Sequence, residues 1–135
     1  MKAISVRQPW AWLLIHGDKD IENRDWYTRY RGEIAIHAAR GMTVQEWQDA
    51  VEFVANFNEE LANRIPGPHL LTRGAIIGTM DLRDCTTASP SPWFQGKYGF
   101  LLGTPKPCDP IPVKGALGLW EWTPDVAIQG KECCS

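Results

Sequence analysis

Glycine and proline divide this chain so finely that long regular elements have little room. Twelve glycines and 10 prolines fall among 135 residues, and each either frees the backbone or removes a donor from it. Ala3 to Val6, Gly32 to His37, Ala75 to Arg83, Lys97 to Leu102 and Leu119 to Trp122 read as short strands, with Ile34 and Ile36 alternating against Glu33 and His37. Pro9 fits the first position of a helix with an apolar stripe of Trp10, Leu13 and Leu14, which Gly17 ends. A second helix is better marked. Thr43-Val44-Gln45-Glu46 is a capping box between the staple residues Met42 and Trp47, and Val44, Trp47, Val51, Val54 and Leu61 keep helical spacing to about residue 62. Pro105 to Pro112 resists regular structure, although Pro110 and Pro112 can lie along an edge strand. Short strands, frequent turns and two main helices predict an α+β fold, a small curved sheet or barrel with helices packed at its openings. One domain is expected over residues 1–122, followed by a flexible tail at 123–135.

No apolar run approaches the roughly 20 residues that span a bilayer, and Met1 to Gln8 lacks the apolar stretch of a signal peptide. A cytoplasmic protein with no membrane association is the expectation. Cys85, Cys108, Cys133 and Cys134 form no C-x-x-C pair and have no metal-ligand spacing, and His16, His37 and His69 are scattered, so neither a metal site nor a disulfide framework is expected. No cofactor is called for: the phosphate-loop and dinucleotide glycine motifs are absent, as is the G-x-S-x-G elbow, and Gly96, Gly99, Gly115 and Gly118 read as kinks in strands.

A net charge of −2 argues against a protein that wraps nucleic acid by bulk electrostatics. The charge is unevenly distributed. Residues 1–40 carry +2, residues 41–62 carry five acids and no base, and the remainder carries +1. A basic region opposite an acidic helix suits a confined anionic or polar ligand.

The densest chemistry lies in Gly17-Asp18-Lys19-Asp20-Ile21-Glu22-Asn23-Arg24, a G-x-K-x-x-E-x-R run after the first helix. In an extended segment Glu22 and Arg24 project to the same side, because strand side chains repeat every two residues, and Lys19 enters from the preceding turn. Arg24 offers a planar pair of donors to a phosphate or base edge. Glu22 can accept from an exocyclic amine or orient Lys19 through an ion pair, and a desolvated Lys19 can serve as general base or nucleophile. The bland alternative is a charged turn in solvent.

Strand, amphipathic helix, G-x-K-x-x-E-x-R and strand in this order resemble the ASCH domain family (activating-signal-cointegrator homology), part of the PUA-like superfamily of small β-barrels. Ser5-Val6-Arg7-Gln8-Pro9-Trp10-Ala11, the Gly17–Arg24 run and Lys114-Gly115-Ala116-Leu117-Gly118-Leu119-Trp120 carry the likeness, which extends to about Trp122, with Tyr98-Gly99-Phe100 where the family places a strand facing its cleft. The resemblance implies an RNA-binding or modified-nucleobase-binding module with a cleft lined by the motif. It also implies a second possibility, a metal-independent hydrolase acting on N4-acylated cytidine or on RNA. The deacylating branch has Thr where this chain has Glu22, which removes a hydroxyl from that branch's catalytic set.

Around Lys19, Glu22 and Arg24 the expected ligand-binding residues are Gln8, Trp10, Trp26, Trp93 and Tyr98. Gln8 can join the cleft or solvate a helix start. Of the seven tryptophans most should fill the core, Trp10 can stack at the mouth of the pocket or pack the first helix, and Trp26 and Trp93 are the better exposed candidates. Stacking on one base is worth about 1–3 kcal/mol. For an enzyme, Lys19 and Glu22 would handle protons in amide hydrolysis, and Lys19 with Tyr98 would be acid and base in RNA cleavage. In a third reading the acidic 43–62 helix is a protein-binding surface.

Overall fold

The computed structural model describes residues 1–124. In chain order it contains β1 (Lys2–Val6), α1 (Trp10–His16), β2 (Ile21–Arg24), β3 (Gly32–Ala38), α2 (Val44–Ala55), α3 (Glu59–Arg64), β4 (Ala75–Thr86), β5 (Tyr98–Pro112) and β6 (Leu119–Glu121). Of the tail expected to be flexible at 123–135, residues 125–135, Cys133 and Cys134 among them, lie outside the described residues. Among the described residues no helix is long and apolar enough to cross a membrane.

The strands form one six-stranded mixed sheet in the order β2-β5-β4-β3-β1-β6. Among the described residues only β1 and β3 run parallel; the other ladders are antiparallel. β2 and β1 are separated in that order by three strands, yet an Arg24 side-chain nitrogen donates to the Ser5 carbonyl at 2.8 Å. The sheet must therefore curl until its ends meet. Register shifts in β3–β4 and three more in β4–β5 supply the curvature, because each extra residue bends the strand that carries it. Among the described residues no ladder joins β2 to β6, so the outcome is a curled half-barrel.

Even-numbered positions turn inward along four strands: Ile4 and Val6, Ile34 and Ile36, Met80 and Leu82, Phe100 and Leu102 close on Ala11, Leu14 and Ile15 of α1. This is the period-two alternation of strands meeting one helix stripe, and each large side chain so buried stabilises the fold by about 1.5–3 kcal/mol. Leu13, on another face of α1, packs with Ile21, Val54, Leu61 and Trp93, which attaches α2 and α3 to the same helix.

Four expectations need correction. The helix expected to run unbroken to residue 62 ends at Ala55, and Asn58 caps a separate α3 by accepting from the Leu61 backbone N–H at 3.0 Å. An asparagine that can satisfy a fresh helix start makes this break inexpensive. Among the described residues there are thus three helices rather than two. The Pro105–Pro112 stretch is part of β5 rather than irregular. β2 pairs with residues 98–101, and beyond them no described strand covers the outer side of β5, an edge on which proline's missing donor costs no ladder bond. Pro9 precedes the first helix rather than opening it, and Cys108 is disulfide-bonded although no disulfide framework was expected.

Candidate functional site

The site begins where α1 stops. Gly17 closes the helix through its N–H to the Leu13 carbonyl at 2.9 Å, and the left-handed turn falls on Asp18, at φ 59°, a conformation that short polar side chains tolerate best after glycine. The turn brings the Lys19 N–H to the same Leu13 carbonyl at 3.1 Å and sends the lysine side chain inward, where only 3 % of the residue is exposed. Its ammonium donates to the Ile21 carbonyl and lies 3.3 Å from Glu22 Oε1. On β2, Glu22 and Arg24 share a side, and an Arg24 terminal nitrogen sits 3.0 Å from Glu22 Oε2. Glu22, 8 % exposed, therefore holds one cation on each oxygen.

Charges are tolerated this deep only when paired and hydrogen-bonded. The Lys19 nitrogen also faces the rings of Trp10 and Trp93, 5.8 and 5.9 Å from their centroids, within reach of a cation–π attraction. Burial nonetheless pushes the amine below the ordinary lysine value, outweighing the opposing pull of the Glu22 carboxylate.

Above this floor opens a cleft of about 410 Å³ lined by Trp10, Lys19, Glu22, Trp93 and Gln95 on one side and by Glu46, Asp49 and Phe53 of α2 on the other. Its volume is within the about 300–1,000 Å³ of small-molecule sites. Asn23 shapes the rim: its amide nitrogen donates to the Trp93 carbonyl at 2.9 Å, and its Oδ1 accepts from the backbone N–H groups of Gln95 and Gly96. Glycine is required at position 99 because a Cβ there would meet Phe94 and Ile21 at under 3 Å. The α2 wall is secured by the capping box, in which Thr43 Oγ1 accepts from the Glu46 N–H and Glu46 accepts from the Thr43 N–H, and by the Arg7–Glu46 ion pair at 2.6 Å. These contacts, the Arg7 guanidinium first, hold the Glu46 carboxyl down to about 2. A second cavity of about 520 Å³ shares Trp10, Glu22 and Asn23 with the first and adds Arg7, Arg24 and Lys97.

An arrangement of buried lysine, doubly paired glutamate and sheet-closing arginine is what the octet places at the end of this first helix. A model of the ASCH domain matches residues 4–109, from β1 into β5. The chain belongs to the ASCH domain family. Curated relatives include the human protein "Activating signal cointegrator 1", 35 % identical over 82 residues, and its Mus musculus counterpart at 37 % over 82 residues. The aligned segment is 61 % of this chain and 14 % of each relative, so the chain spans about one-seventh of their length.

Of the positions expected in the site of this ASCH domain, Lys19, Glu22, Trp10 and Trp93 line one cleft, and Arg24 lies next to it beside Glu22. Trp93 is only 7 % exposed, stacked edge-on against Phe57 at 4.9 Å, and is part of the wall rather than an exposed ring. Trp10 and Phe53, 5.8 Å apart and both half-buried, present the available aromatic faces. Gln8 lines neither cavity: it accepts from the Trp12 N–H at 2.9 Å and donates to the Thr72 carbonyl, solvating the start of α1. Trp26 packs edge-on against Phe100 in the core, and Tyr98 faces Tyr27, so neither reaches the cleft. Sequence reasoning missed Asn23, Glu46, Asp49 and Phe53. Asn23 had a signal, since a strand amide between two motif charges must point away from them; the α2 residues come from a long-range contact that no local pattern encodes.

Proposed function

We propose that this ASCH domain binds RNA by taking one unstacked nucleobase, plain or modified, into the Trp10–Lys19–Glu22–Phe53 cleft, on a curled sheet of PUA-like barrel type. The observation that carries the reading is a buried Lys19–Glu22 pair, completed by a half-buried Arg24, facing a one-heterocycle cavity with half-buried aromatic rings. Burying a charge pair is costly to a fold and is repaid by a ligand it recognises. Lys19 would donate to a ring carbonyl, the Glu22 and Asp49 carboxylates would accept from exocyclic amines, and Trp10 or Phe53 would cover the base. Fluorescence titration with nucleosides and short oligoribonucleotides tests this. Saturable binding is expected, and Trp10→Leu should weaken it by about fivefold or more, as about 1–3 kcal/mol of stacking requires. No saturation with any nucleoside or oligoribonucleotide sinks the reading.

One observation favours turnover on the same cleft: the lowered Lys19 amine, which as a free base can take a proton or attack a carbonyl. Product release from N4-acylcytidines or labelled RNA in EDTA, abolished by Lys19→Met in a folded variant, would establish a metal-independent hydrolase. Tyr98 lies outside the cleft, so an RNA-cleaving pair of Lys19 and Tyr98 has no geometric support.

A further inference from the structure

We propose that the RNA strand leaves the base cleft in one direction, along a cationic track that passes Arg24 and Lys97, crosses Ser5 and ends between Arg40 and Lys114. The inference rests on the RNA-binding reading and gives its strand a path.

Three cavities lie in series. The base cleft and the Arg24 cavity share Trp10, Glu22 and Asn23; the Arg24 cavity and a third, of about 640 Å³, share Ser5. Charge changes sign along the series. The base cleft is bordered by Glu22, Glu46 and Asp49 against one lysine. The middle cavity sets Arg7, Arg24 and Lys97 against Glu22 and Asp25. The third has Arg40 and Lys114 and, among the described residues, no carboxylate in its lining. On the opposite side of the base cleft stands α2, in a segment with five acids and no base between residues 41 and 62. A phosphodiester chain is repelled at that wall and attracted along the series.

The cations differ in availability. Arg7 and Arg24 are engaged by Glu46 and Glu22, whereas Arg40 and Lys114 have no side-chain hydrogen bond or ion pair among the described residues. The loop that carries Lys114 is held firmly. His37 Nε2 donates to the Val113 carbonyl at 2.7 Å, which leaves Nδ1 to accept from Ser5 Oγ at 3.0 Å. Gly115 lies so close that a Cβ would meet Ser5 Oγ at 2.4 Å. The same loop presents Leu117, 97 % exposed, at the lip of the cationic cavity, an apolar surface of the kind against which a ribose or base can rest.

The test compares wild type, Arg40→Gln/Lys114→Gln and the charge-matched control Arg83→Gln/Lys106→Gln, each titrated with free cytidine or adenosine and with a labelled hexaribonucleotide over a series of salt concentrations. Single-stranded binding loses salt dependence by about 0.7 in log–log slope for each phosphate contact removed. The Arg40/Lys114 variant should therefore bind the hexamer more weakly with a slope about 1.4 shallower, bind the nucleoside as wild type does, and differ in both respects from the control. If the nucleoside binds but the variant and wild type share one hexamer affinity and slope, or the control loses as much, the track is wrong while the base cleft stands. If neither nucleoside nor hexamer binds wild type, the RNA-binding reading fails and the track with it.

Discussion

The two ends of the groove are built on opposite electrostatic plans. On the floor of the base cleft the charges are buried or half-buried and already answered: Lys19 by Glu22, Glu22 by Arg24, Arg24 also by the Ser5 carbonyl. At the Arg40–Lys114 end the charges stand in solvent without ion pairs among the described residues. A buried network is rigid and selective, because any ligand must match donors and acceptors whose positions are set before it arrives. Exposed cations impose little geometry and respond to salt. Under the binding mode proposed above, the difference would assign chemical discrimination to one end and strand attraction to the other, with the Arg7–Glu46 pair at 2.6 Å linking the end of β1 to the α2 wall between them.

The contrast can be broken by experiment, most forcefully at Glu22. Glu22→Ala strands Lys19 and Arg24 without their shared carboxylate and is expected to destabilise the fold by about 3–5 kcal/mol, measured by urea denaturation; a change below about 1 kcal/mol would mean the network is solvated rather than buried. Next comes Lys19 itself. Its folded-state amine releases its proton below 10.5, where an exposed lysine would still hold one. The unfolded chain then binds more protons in that window, so wild-type stability relative to Lys19→Met should rise as pH climbs towards 10.5. A flat difference would place the amine in water. A smaller effect is expected at Glu46, whose carboxyl is held at about 2 instead of 4.5. Its contribution is complete above 4.5, fades as pH falls towards 2, and should vanish from the acid denaturation curve of Glu46→Gln. Smallest of all is Arg40→Gln/Lys114→Gln, which should leave stability within about 0.5 kcal/mol of wild type while changing the salt response of RNA binding.

The centre of the site was legible because its residues are close in sequence and obey local rules. Glu22 and Arg24 are two apart on a strand, so they had to share a side, and the Thr43–Glu46 box announced where the wall begins. The aromatic assignments were less legible. Trp93 and Trp26 sit beside loops in sequence but are folded inward, Trp93 by the Asn23 amide and Trp26 by the face of Phe100. The contribution of Glu46, Asp49 and Phe53 depends on α2 docking beside α1 through Leu13 and Val54, a tertiary event invisible to periodicity. The proline-rich half of β5 was read as irregular because proline removes donors, with an edge strand kept open for Pro110 and Pro112; that the whole stretch lies along such an edge appears only when the strand order is known.

Position 5 bears an unequal burden. Arg24 fastens onto its main-chain oxygen, a group that every amino acid supplies. The hydroxyl of Ser5 separately steadies His37 and the Trp120 indole. Exchanging Ser5 for alanine would leave the imidazole with its Val113 bond alone and the clasp across the sheet's opening fastened, whereas exchanging Arg24 for a shorter cation would undo it. In a library of variants, then, the arginine should be the intolerant member of the pair and the serine the permissive one.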